Sequence, residues 1–164
     1  MPYLKVWIHL VWATKSRKPL LSAPIRPIVF NHIRKNASAK NIHLDFINGF
    51  TEHVHCLISM NAKQSIAEIT RLIKGESSFW INKNNLTATK FEWQDDYYAV
   101  SVSHSVVNRV REYIKNQENH HQTKTFDQEV DEFIRKYGFE RLSDWFEILK
   151  IKRLSGNPGS LFNF

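Results

Sequence analysis

Cysteine is almost missing from this chain of 164 residues: Cys56 stands alone, so no intrachain disulfide can form and nothing points to secretion. In an alternating apolar run, that thiol is expected to be buried and inert. No apolar run reaches the length of a membrane span. The nearest approach, Tyr3 to Trp12, carries Lys5 and His9, runs into Lys15, Arg17 and Lys18, and lacks a signal-peptide cleavage region. Internal repeats and long linkers are absent too. The expectation is a cytoplasmic protein with no membrane partner.

Hydrophobic residues make up 42% and aromatics 13% of the chain, which excludes a disordered polymer and supplies a sizeable core. The length suits one domain with one accessory element. The expected division is a domain over residues 1–138 and a C-terminal extension over 139–164. Lys and Arg number 23 against 16 Asp and Glu, a formal charge of +7. That balance favours polyanions such as nucleic acid, although a soluble protein with a merely basic surface has the same count.

Period-two alternation from Tyr3 to Trp12 predicts a first strand. A helix is predicted from Ser22 to about Asn41, with Ile25, Ile28, Val29, His32 and Ile33 on one face. Ile42 to Phe50 alternates again, with Ile42, Leu44 and Phe46 inward, and turns through Thr51-Glu52 into a strand over 53–60, forming a hairpin. Ser65 with Glu68 has capping-box spacing and opens a helix bearing Ile66, Ile69, Ile73 and Trp80. A polar loop over 83–90, a strand over 97–103 and a helix from Ser103 or Ser105 to about His121 follow. A further helix opens at Thr125 with Gln128 and closes at Gly138. Strand, helix, hairpin, helix, strand is a ferredoxin-like, RRM-like α+β order, with helices mainly on one face of an antiparallel sheet and the other face available.

Two features carry chemistry. On a strand, His53 and His55 share a face with Leu57, while Val54, Cys56 and Ile58 face the core. The two imidazoles are then roughly 6.5 Å apart along the backbone, close enough to reach one cation. On a helix, Tyr113 and Gln117 stand one turn apart at the border of the Val110–Ile114 apolar stripe. The same spacing fits a tyrosine at the edge of the core with a hydrogen-bonding glutamine neighbour.

Taken together, His53-Val54-His55-Cys56-Leu57-Ile58, Trp93-Gln94, Ser101-Val102-Ser103, Tyr113-Ile114-Lys115-Asn116-Gln117, His120-His121 and Thr125-Phe126 resemble the single-tyrosine HUH transposases of small insertion sequences and their REP-associated relatives. The resemblance runs in order from about Tyr3 to Gly138. Asp95-Asp96-Tyr97-Tyr98 departs from it by being bulkier and more acidic than the Gly-containing turn expected there. The resemblance implies a nucleophile at Tyr113, and a divalent cation, Mg2+ or Mn2+, on His53, His55 and Gln117. It also implies single-stranded DNA with hairpin-bearing ends as substrate, a 5′-phosphotyrosine intermediate and a homodimer. Arg71, Lys74, His120 and His121 are candidate phosphate contacts. Three other readings stay open: a REP-associated, hairpin-processing nuclease, distinguished by scattered matching hairpins in the genome; a noncatalytic nucleic-acid-binding module, which needs no tyrosine; and a zinc hydrolase, which Tyr113→Phe would leave active.

Overall fold

The computed structural model of the chain describes residues 3–121 and, beyond them, 125, 128, 129, 131 and 132. It divides into two units, Met1–Lys124 and Thr125–Phe164. In the first, strand β1 (Trp7–Ala13), helix α1 (Arg26–Ala39), strands β2 (His43–Gly49) and β3 (His53–Ser59), helix α2 (Ile66–Lys83) and strand β4 (Tyr98–Val102) occur in the expected order. Their sheet is antiparallel throughout, ordered β2-β3-β1-β4, which is the ferredoxin-like α+β arrangement.

Alternation decides which side chains meet which helices. Ile8, Leu10 and Trp12 of β1 and Val54, Cys56 and Ile58 of β3 point to one side. There they pack against Val29, Phe30, Ile33 and Ala37 of α1 and Ile69, Ile73 and Ile81 of α2, forming the main core. The stripe on α1 therefore differs from the expected one: Ile28 is half exposed, and His32 lies on the outer flank, stacked on Trp80 and bonded to Glu76. Phe30 takes the inward place. On α2, Ser65 caps the first turn as expected, its Oγ accepting from Glu68 N at 3.1 Å.

Two differences from the sequence expectation shape the opposite face. Leu44 pairs with Ile58 but Phe46 pairs with Leu57, so Asp45 is the extra residue of a β-bulge. The bulge shifts the alternation by one, and Phe46 leaves the side of Leu44 to join the opposite face. That face is not open. After one 3-10 turn, helix α3 (Val107–Lys115) lies over β2 and β3. Its Val107 and Ile114 are buried with Leu57, flanked by Trp7, Phe46, Val102, Val110 and Tyr113. An amphipathic helix must bury its apolar stripe somewhere, and Leu57, Phe46 and Trp7 give it an apolar landing on this side.

In the second unit, the predicted capping box is present: Thr125 N donates to Gln128 Oε1 at 3.0 Å, and Gln128 N to Thr125 Oγ1 at 3.3 Å. Residues 128, 129, 131 and 132 are helical. The close of that helix at Gly138 and the extension over 139–164 lie outside the described residues.

Candidate active site

The histidine pair is placed by β3, where His53 stands opposite Ala13 and His55 opposite Val11. Gly49, at the end of β2, permits the hairpin to close tightly on this point. A Cβ there would stand 2.1 Å from His53 O and 2.9 Å from Val54 Cα, both backbone atoms. Both imidazoles are fully buried, with ring centres 5.1 Å apart and planes at 82°.

Each ring has a partner at Nδ1. His53 Nδ1 is 3.3 Å from Glu52 Oε1, and His55 Nδ1 is 3.0 Å from His9 Nε2. Burial pushes the Glu52 carboxyl up, but hydrogen bonds from His53 and Thr51, with the charges of His53 and His121, hold it below its ordinary value. His9 lies within the sheet face and stacks on His55 at 5.2 Å. Burial, and then the charge of His55, hold its pKa well below the ordinary histidine value, so His9 is neutral at pH 7.

Tyr113 and Gln117 reach the same place by a route the sequence expectation missed. The predicted helix through His121 is broken: α3 stops at Lys115, Asn116 adopts φ −92° and ψ 18°, and a short helix, α4 (Gln117–His120), begins after it. Gln117 is nevertheless fully buried, with Oε1 3.4 Å from His53 Nε2 and 3.1 Å from His121 Nε2. The half-buried Tyr113 ring stands edge-on to His55 at 5.8 Å and to His9 at 5.9 Å. His121 stacks on Phe50 at 5.2 Å, and its ring lies 4.4 Å from that of His53.

The structure thus brings together His53, His55, Tyr113, Gln117 and His121. Nothing is described of the His120 side chain. Arg71 and Lys74 lie on α2, across the sheet from this cluster, where they line a cleft of about 410 Å³ with Trp93, Gln94 and Tyr97. Lys74 Nζ donates to the carbonyls of Asp95 at 2.9 Å and Asp96 at 3.3 Å, and so holds the acidic loop before β4. Two residues of the site escaped sequence reasoning. Glu52 read as part of a turn although it directly precedes His53, and His9 read only as a polar residue within the apolar run of the first strand.

The donor set fits a divalent cation. His53 Nε2 and Gln117 Oε1, an imidazole nitrogen and an amide oxygen, face each other at 3.4 Å. Both belong to fully buried side chains, and an imidazole nitrogen and an amide oxygen are donors that a divalent cation takes. A nitrogen and an oxygen ligand about 2.1 Å from one ion have a similar separation.

The family model described as IS200-like transposase matches residues 3–117, from before β1 through Gln117. Over 115 residues the chain is 26% identical to the transposase for insertion sequence element IS200 of Salmonella typhimurium, covering 66% of this chain and 74% of that one. A crystal structure from Deinococcus radiodurans superimposes with a TM-score of 0.56 at 22% identity, over 71% of this chain and 93% of the other. The REP-associated tyrosine transposase bound to a REP hairpin superimposes with a TM-score of 0.54 at 17% identity, over 74% of this chain and 72% of the other. With Tyr113 and all three candidate cation ligands inside the matched span, the chain belongs to the family of IS200-like transposases.

Proposed function

We propose that the protein cuts and rejoins single-stranded DNA through a 5′-phosphotyrosine on Tyr113, and so mobilises a small insertion sequence. The observation that carries this reading is the meeting, within one chain, of the Tyr113 ring with the buried pair His53 and His55 and the Gln117 amide. Tyr113 attacks the scissile phosphorus in line, its oxygen forms the new ester, and the bond to the 3′ oxygen breaks, releasing a 3′-hydroxyl. The ester is conserved, so a second 3′-hydroxyl reverses the step and joins strands without ATP. A phenol with a reference pKa of about 10 is ionised in only about one molecule in a thousand at pH 7, so attack needs a base. His120 and His121 are the candidates. Magnesium or manganese, held by His53, His55 and Gln117, would supply positive charge at the scissile phosphate.

The substrate in this reading is a flexible single strand with hairpin-bearing ends. The formal charge of +7 suits a polyanion, and the structural relative named above is bound to a REP hairpin. The working assembly is a homodimer. The test is incubation with single-stranded DNA from hairpin-bearing flanks and Mg2+, followed by denaturing electrophoresis. A covalent protein–DNA band is expected for wild type and none for Tyr113→Phe. Wild type and Tyr113→Phe behaving alike across several such substrates would sink the nuclease reading in favour of a binding module. Hairpins bounding the gene itself, rather than scattered through the genome, mark mobilisation rather than hairpin processing.

A further inference from the structure

His9 is a buried polar residue that the proposed chemistry does not use. It lies on the side of β1 that faces α3, where an aliphatic side chain would fill the space without the desolvation cost of an imidazole. Its partner is specific: His9 Nε2 is 3.0 Å from His55 Nδ1, with the rings stacked at 5.2 Å and 28°. One proton lies between the two nitrogens. If His9 supplies it, neutral His55 accepts at Nδ1 and carries its proton on Nε2, where it cannot ligate. If His55 supplies it, His55 Nε2 holds an in-plane lone pair.

We propose that His9 is a positioning residue of the metal site, accepting the Nδ1 hydrogen of His55 and so fixing the tautomer whose Nε2 can bind a cation. The inference rests on the reading of His53, His55 and Gln117 as cation ligands. It places His9 behind His55 as Glu52 stands behind His53, so that both ligand rings are oriented through Nδ1. The edge-on contact of His9 with Tyr113 at 5.9 Å means that one side chain backs both the ligand ring and the phenol.

The test uses the full chain labelled with 15N and titrated with Mn2+. Two-bond 1H–15N correlation reads the His55 tautomer without metal, and the electron paramagnetic resonance of free Mn2+ reads affinity. Wild type should show His55 protonated at Nδ1. His9→Leu should move His55 toward the Nε2–H form and weaken Mn2+ binding by about ten- to a hundredfold. His9→Gln should preserve both, because its amide oxygen reaches the place of Nε2. Three results would overturn the inference: an Nε2–H tautomer in wild type, unchanged Mn2+ affinity in His9→Leu, or a His9→Gln that melts like wild type yet binds Mn2+ as weakly as His9→Leu. A wild type that forms the Tyr113 adduct but shows His55 as Nε2–H would sink this inference and leave the proposed function standing. A wild type that binds no Mn2+ would remove both.

Discussion

Neighbouring residues of β3 show how far one position changes the chemistry of a side chain. Cys56 lies between His55 and Leu57 but points into the main core, and burial pushes its thiol well above the ordinary value against the opposing charge of Arg34. The folded state therefore keeps the thiol proton where the unfolded chain, with a pKa of about 8.5, gives it up. The sign follows: above that pH the unfolded state binds fewer protons, so stability falls, by up to about 1.4 kcal/mol per pH unit for this one group. Urea midpoints measured from pH 7.5 to 10 should fall more steeply for wild type than for Cys56→Ala, and Ellman's reagent should leave the native thiol untouched at pH 8. This inertness was legible from alternation alone. The second partners Glu52 and His9 were not, because sequence spacing gives the face of a residue but not which ring nitrogen meets which neighbour.

Elements were legible where a period runs unbroken, and misread where a single residue interrupts it. Strands β1, β3 and β4 follow their hydrophobic periods, and α2 follows its own from the Ser65 cap. Asp45 breaks the period of β2 and sends Phe46 to the other face, and Asn116 breaks the helix between Tyr113 and Gln117. Neither interruption is a proline or glycine, so composition gave no warning. The bulge serves α3 directly: Arg111 grips Asp45 with two hydrogen bonds, Nε at 2.7 Å and Nη2 at 2.9 Å, and stacks its guanidinium over Trp7 at 5.6 Å. Two more ties, Asn48 to the Lys115 carbonyl at 3.0 Å and Arg26 to Glu118, hold the segment farther along. Asp45→Ala and Arg111→Ala should each lower the rate of adduct formation several-fold by loosening Tyr113, with little further loss in the double variant because both break one contact. Rates that multiply in the double variant, measured in single turnover, would mean that the two side chains act separately.

For the whole molecule, the question is whether one chain makes a site or two chains share one. Tyr113, His53, His55 and Gln117 meet within a single chain, and the ties from β2 and α1 to the tyrosine segment are intramolecular. Mixed dimers of Tyr113→Phe with His55→Ala subunits should therefore show no recovered cleavage. Recovery toward half of wild-type activity would mean that the tyrosine helix works on the partner. The two sides of the sheet are also held unequally. A large core backs one face, while α3 rests on a few side chains around Leu57, Val107 and Ile114, directly above imidazoles that have no exposed surface. If the protein acts on a nucleotide strand as proposed, local breathing of the smaller layer is one way to admit it, and amide protons of α3 should then exchange through openings too shallow to release those of β1 and β3. Such a molecule would guard its ligands at rest and yield them through partial unfolding on one side only.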